Sequence, residues 1–366
     1  MATQFAVLKL DVTKAAGLNE KAHVAATVHL PPPEKLVPVP IVCFAKPGGG
    51  YNRSYFTTDL PGPAAGIGSE AEWHAERGWI FVSLDHLGVG ESSWHDAGKL
   101  DYVVMAAASH DAERQILRRL AEGTILPNYA KIQHAVKIGI GQSLGGCLTI
   151  VQQGRYHCYD GIGVLGYSAV HNHPPVKPGE RPIVYRWLSR DGSPSHPSPI
   201  LNEQQFQEYT KIPRNPAAGS PMAWVFHYDD VDPALAAADL ARFNRRRPTD
   251  SIIRAEKGDP PWASLTIPIP AASTSTTPGT VASEAAAVLC PVLVAMGERD
   301  VVPDPRGEPR AYISSFSVDL FICSRMGHMH NFAGTRELLW RRLDIWSCWL
   351  REIKASTVVR HGPSNV

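Results

Sequence analysis

The stretch Val136-Lys137-Ile138-Gly139-Ile140-Gly141-Gln142-Ser143-Leu144-Gly145 passes from a short apolar run, through a glycine-flanked serine, into a helix-like segment beginning near Leu144. Val136–Ile140 has the continuous apolar character of a strand buried on both faces. Gly141-Gln142-Ser143-Leu144-Gly145 fits G-x-S-x-G, placed between strand and helix, where a serine can be exposed on a sharp turn. Side chains at the two glycine positions would collide with neighbouring backbone. The helix that follows directs its unbonded N–H groups at the serine, an arrangement that favours developing negative charge. Ser143 is therefore the candidate nucleophile. A glycine-rich turn with an incidental serine is the bland alternative. A nucleotide site built on Gly139, Gly141 and Gly145 needs an acid after the next strand, and Asp160 precedes it.

Outward from this stretch, short apolar strands alternate with helices. Pro40–Ala45, Trp79–Leu84 and Ile162–Gly166 read as buried strands, Phe5–Val12 and His23–Leu30 as half-exposed ones. Glu70–Arg77 and Leu100–Glu122 read as helices. Such alternation predicts an α/β domain with a mostly parallel sheet covered by helices on both faces. The alternation breaks at about His171 and resumes near residue 285 with the strands Pro291–Met296 and Val318–Cys323 and a final helix from Arg336. The division predicted is a core of residues 1–170 and 285–366 and a mainly helical insertion of 171–284. Ala271–Ser283 reads as a low-complexity loop able to act as a hinge.

A serine hydroxyl needs a histidine to take its proton, and the histidine needs an orienting carboxylate. Asp300 follows the strand Pro291–Met296, and His328 follows Val318–Cys323, so both fall at the same sheet edge as Ser143. Glu298 and His330 are their rivals. His328 is preferred because Gly327 allows close approach to the nucleophile turn. The run Pro47-Gly48-Gly49-Gly50-Tyr51 follows an early strand and can turn N–H groups inward, so Gly49, Gly50 and Tyr51, with Leu144, are candidate donors to an oxyanion.

Composition narrows the rest. The chain has 366 residues, a net charge of +1, 44% apolar and 19% charged residues, which suits a folded domain with one insertion. No global charge attracts a polyanion, and the short cluster Arg242, Arg245, Arg246 and Arg247 reads as a solvated helix end, so no nucleic-acid partner is expected. Cys43, Cys147, Cys158, Cys290, Cys323 and Cys348 form no CxxC pair and read as reduced thiols. With neither a signal peptide nor a bilayer-spanning run in the sequence, no membrane partner and a cytoplasmic location are expected. The pairs His171/His173 and His328/His330 lack the further ligands a metal site needs, and neither metal nor cofactor is expected. A homodimer is compatible with the sequence.

Four motifs in order, Pro47-Gly48-Gly49-Gly50, Asp85-x-x-Gly88-x-Gly90-x-Ser92, Gly141-x-Ser143-x-Gly145 and the Asp300/His328 pair, resemble the α/β-hydrolase superfamily over about two-thirds of the chain. The glycine run is similar to the triple-glycine oxyanion loop of one esterase class, although Pro47 stands where many members carry histidine. The resemblance implies a cap domain over a Ser143–His328–Asp300 triad and hydrolysis of an ester or lactone of a small molecule. Amide, thioester or carbon–carbon cleavage, acyl transfer, and ligand binding without turnover are the alternatives. Tyr185, Trp187, Trp224, Phe226, Tyr228 and Trp262 are spread through the insertion. Trp187, Trp224 and Tyr228 are candidates to line an apolar substrate pocket, or else belong to the insertion's own core. Asp229, Asp230 and Asp232 read as a loop and helix start.

Overall fold

The computed structural model describes residues 3–61, 68–180, 222–245, 258–264 and 266–360. Among the described residues, eight strands form one sheet: β1 (Gln4–Asp11), β2 (His23–Leu30), β3 (Ile41–Lys46), β4 (Ile80–Leu84), β5 (Val136–Gln142), β6 (Gly161–Leu165), β7 (Val292–Arg299) and β8 (Val318–Gly327). Their spatial order is β1-β2-β4-β3-β5-β6-β7-β8. β2 runs antiparallel to both β1 and β4, and every other pairing is parallel. β1, at the edge, shows the expected alternation of exposed and buried residues. β2 was expected to do the same, but it is buried along nearly its whole length because strands flank it on both sides and helices cover it.

The helices are α1 (Thr13–Ala16), α2 (Ser54–Thr57), α3 (Glu70–Ala75), α4 (Tyr102–Glu122), α5 (Leu144–Tyr156), α6 (Ala223–Phe226), α7 (Pro233–Arg245), α8 (Ile269–Ser275), α9 (Ala282–Ala286) and α10 (Arg336–Arg360). They divide the core into two apolar layers, one on each face of the sheet. Ile116 and Leu120 of α4 and Leu148 and Val151 of α5 join the layer containing Val42, Val82 and Val164. Leu339, Leu343 and Trp346 of α10 join the opposite layer with Ile41, Phe81 and Leu293. Burial on this scale supplies the main driving force for folding. None of the described helices is long and apolar enough to cross a membrane.

Strand order is what creates the site. The chain leaves β3, adds β4 outside it, then returns across β3 to lay down β5 on its other side. The loop after β3 and the loop after β5 thus emerge side by side at the carboxyl edge of the sheet, a switch point at which α/β sheets bind ligands. Lys46 pairs with Gly141 in register, so Pro47 and Ser143 leave the sheet as neighbours.

Described residues of the insertion between β6 and β7 pack into both layers of the core. Ala271, Val281 and Ala285 are buried in the layer around α5, and Val225, Phe226, Val231, Leu235 and Trp262 in the other. Ala271–Ser283 is not the loop its small polar composition suggests. Much of it lies in α8 and α9, where Ala271 and Ala285 are buried against the body of the domain.

Candidate active site

β5 ends at Gln142 and α5 begins at Leu144, leaving Ser143 alone in the turn with φ +54° and ψ −118°. That conformation is costly for a residue with a side chain and is typical of functional sites. Close packing enforces it. A Cβ at Gly145 would lie 2.8 Å from the Pro47 carbonyl oxygen and collide with that of Lys46, and one at Gly141 would collide with the Gly145 carbonyl. Ser143 is partly exposed, whereas Gln142 and Leu144 beside it are buried.

Asp300 and His328 each follow immediately after a strand, β7 and β8 respectively. The His328 ring bridges them to the serine: Nε2 lies 3.0 Å from the Ser143 hydroxyl and Nδ1 2.6 Å from Asp300 Oδ1. A carboxylate only accepts, so Nδ1 carries the proton and Nε2 presents a lone pair to the hydroxyl. Asp300 Oδ1 also accepts from the Val301 amide at 2.7 Å, and Oδ2 from the Gly297 amide at 2.9 Å and from His330 Nε2 at 2.8 Å. Burial alone would raise the Asp300 pKa. His328 and His330 beside it outweigh that and hold the carboxyl well below its usual range. The rival residues find other work. Glu298 accepts from the Arg325 amide and the Tyr228 hydroxyl, and His330 serves the same carboxylate as His328 from its far side.

The glycine loop lies against the nucleophile. A Cβ on Gly48 would stand 3.2 Å from Ser143 Cβ, while Gly49 faces the Leu144 side chain. Leu144 is the first residue of α5, where the N–H has no partner within the helix. The Tyr51 N–H donates instead to the Gly48 carbonyl at 3.2 Å, closing a turn in the loop. His86, in the Asp85–Ser92 segment, holds the loop from below through a 2.8 Å hydrogen bond from Nε2 to the Pro47 carbonyl. Burial pushes the His86 pKa down to about 4, so the ring is neutral around pH 7. Asp85 accepts from the Arg53 and Glu91 amides and pairs with the Arg53 guanidinium at 2.5 Å, which fixes the turn carrying Gly88 and Gly90.

The insertion reaches the base directly. The His328 amide donates to the Val225 carbonyl at 2.7 Å, and the Phe226 ring lies 5.5 Å from the His328 ring. Trp224 and Tyr228 both face Arg299. Each ring centroid lies 4.5 Å from the Arg299 guanidinium. Arg299 in turn donates to the His227 carbonyl at 2.6 Å and pairs with Asp229. Asp230 pairs with Arg325, and Asp232 caps α7 through the Ala234 and Leu235 amides. Trp187 and Tyr185 lie outside the described residues.

Three contributors carry little sequence signal. Gly166 follows β6 with φ +56°, and a Cβ there would stand 3.1–3.2 Å from His330 Nε2, Asp300 Oδ2 and His328 Nδ1. Only the absent side chain leaves room for the three groups. Gln142 donates to the His328 carbonyl at 2.9 Å, and His86 acts as described above. A glycine at a strand end and an isolated buried histidine are too common to single out beforehand.

No protein-family model matches the chain, and no curated protein matches it in sequence. Solved structures do match in shape. An esterase from Exiguobacterium antarcticum superposes with a TM-score of 0.56 at 13% identity, covering 89% of this chain and 96% of its own. A thermophilic esterase from Thermogutta terrifontis gives 0.52 at 13% identity, covering 94% and 99%, and a bromoperoxidase from Bacillus anthracis gives 0.52 at 14%, covering 92% and 100%. The chain has the α/β-hydrolase fold.

Proposed function

We propose that the protein is a serine hydrolase that cleaves a carboxylic ester or lactone of a partly apolar small molecule through an acyl-enzyme intermediate. The observation that carries this reading is the unbroken hydrogen-bonded series from the Ser143 hydroxyl through His328 to Asp300, at 3.0 and 2.6 Å, on a strained turn at the switch point of the sheet. Two of the structural neighbours described above are esterases, which agrees with it.

In the first half-reaction the Ser143 oxygen attacks the acyl carbon and His328 Nε2 takes its proton. The imidazolium formed is held by ionised Asp300, which keeps its charge because four N–H groups surround it. Negative charge on the former carbonyl oxygen falls between the Leu144 N–H at the start of α5 and the Gly48-Gly49-Gly50 loop. Collapse of this intermediate expels the alcohol, which collects the proton from His328. Water, deprotonated by the same nitrogen, then releases the acid. For a lactone the leaving alcohol stays attached to the acyl group. Phe226, beside the base, favours an apolar acyl or alcohol portion.

The test compares p-nitrophenyl esters of increasing acyl length on the parent and on Ser143→Ala, with a fluorophosphonate label followed by peptide mapping. Turnover that falls by about 10⁴-fold or more in the variant, with label on Ser143, supports the proposal. Turnover unchanged by the substitution refutes it. Labelling of Ser143 without ester turnover moves the reading to another acyl substrate, and absence of both moves it to ligand binding.

A further inference from the structure

Several buried carboxylates take no part in the mechanism, and Asp239 is the one tied to both the glycine loop and the segment bonded to the base. Asp239, on α7, is fully buried and accepts hydrogen bonds from three separate described segments. The Tyr51 hydroxyl donates to Oδ2 at 2.8 Å, the His227 ring approaches Oδ2 through Nε2 at 3.0 Å, and the Trp262 indole donates to Oδ1 at 3.0 Å. Tyr51 ends the glycine loop. His227 directly follows Val225 and Phe226, whose carbonyls accept from the His328 and Met329 amides at 2.7 and 3.0 Å. Trp262 belongs to a segment aligned with the glycine loop. Tyr51 bridges Ala263, the Ser264 amide donates to the Gly50 carbonyl at 2.9 Å, and the Asn52 amide donates to the Trp262 carbonyl at 3.0 Å. Phe332 fills the middle, its ring centroid 5.1–6.3 Å from those of His227, Trp262 and Tyr51.

An apolar cluster of this kind would pack without a carboxylate. Burying one is costly unless donors surround it, and what a satisfied polar node adds is a fixed direction. Here the fixed groups are the loop beside the oxyanion and the segment bonded to the base. Donors to an oxyanion must lie within about 2.7–3.1 Å of it, and misplacement by about 1 Å costs up to ~10² in rate. We propose that Asp239 is a positioning residue for the reaction. It holds Tyr51, and through it the glycine loop, in register with Ser143 and His328, so that the insertion completes the catalytic centre. The proposal rests on the hydrolase reading above.

The experiment uses Tyr51→Phe, Asp239→Asn and the double variant on the p-nitrophenyl ester the parent turns over fastest, with active sites counted by fluorophosphonate labelling. Tyr51→Phe keeps the ring and is the mildest change. The expected results are a fall of about tenfold in kcat per labelled site, KM changed by less than about twofold, and a parallel fall in the rate of phosphonylation, which also builds charge on that oxygen. The pH midpoint of kcat/KM stays in place because the base is untouched. The double variant is no slower than Asp239→Asn, since both changes break one link. Unchanged kcat per labelled site in both single variants, with only a lowered melting temperature, overturns the proposal and makes Asp239 a packing link. A parent that shows no turnover or labelling dependent on Ser143 overturns the hydrolase reading, and this proposal with it.

Discussion

Replacing Asp300 by asparagine tests the triad through an asymmetry of its surroundings. The carboxylate faces donors on every side, His328 and the Val301 amide at Oδ1, His330 and the Gly297 amide at Oδ2. An amide offers one accepting oxygen and one donating nitrogen, so one side must clash in either orientation. With the NH2 at the Oδ1 position, the Val301 N–H loses its acceptor and His328 must accept at Nδ1. The histidine proton then sits on Nε2, facing the serine, and the base is lost. With the NH2 at the Oδ2 position, the Gly297 N–H is orphaned and His330 must change tautomer, while His328 keeps its orientation but loses the charge that stabilises its imidazolium. Either orientation leaves a buried backbone donor unmade, worth about 1–3 kcal/mol of folding stability. Loss of the ionised partner lowers kcat by about 10⁴, or roughly 5 kcal/mol of transition-state stabilisation. Steady-state hydrolysis of a p-nitrophenyl ester, beside urea unfolding of parent and variant, measures both. An Asp300→Asn enzyme that keeps more than about a tenth of the parent kcat while remaining folded refutes the assignment of Asp300.

His330→Ala removes one donor from Asp300 Oδ2, so the carboxylate holds the His328 imidazolium more strongly. The acid limb of the kcat/KM profile should move to higher pH with activity still measurable, whereas His328→Ala should abolish it, and an unmoved limb would show that His330 is not coupled to the acid. Gly166→Ala imposes a side chain at φ +56° and 3.1–3.2 Å from both histidines and Asp300, so it should lower kcat by more than tenfold for roughly 1–2 kcal/mol of lost stability; equal activity per folded molecule would count against the crowding argument. Glu70 is buried, which raises its pKa from 4.5 to about 7, against a hydrogen bond from Asn331. Because the folded state binds this proton more tightly, the contribution is complete below pH 4.5 and is lost as pH rises towards about 7, a loss on the order of 3 kcal/mol. Glu70→Gln should flatten that part of the stability curve in urea unfolding, and parallel curves for parent and variant would reject the account.

Much of this architecture is written locally. The apolar runs that became β3 to β7 are recognisable because a strand covered on both faces needs a continuous hydrophobic sequence, and the Ser143 turn because only glycines tolerate the approach of its neighbours. The order Ser143, Asp300, His328, each after an apolar run, was legible for the same reason. What depends on contacts between distant segments was not. Whether β2 would be half-exposed or buried was decided by the strands on either side of it, and whether Ala271–Ser283 would be loop or helix by the room beside α5. Trp224 and Tyr228 are aromatic in sequence whatever they touch, and only the fold brought Arg299 to both of them. Likewise Asp239, Tyr51, His227 and Trp262 carry no common pattern, because hydrogen bonds across as many as 188 positions leave no spacing to read. The sequence by itself determined the strands, the nucleophile turn and the order of the chemical groups, since these follow from periodicity and backbone sterics. The tertiary structure alone decided which partners surround each buried charge, since those are set by strand order and by how the insertion packs back onto the sheet.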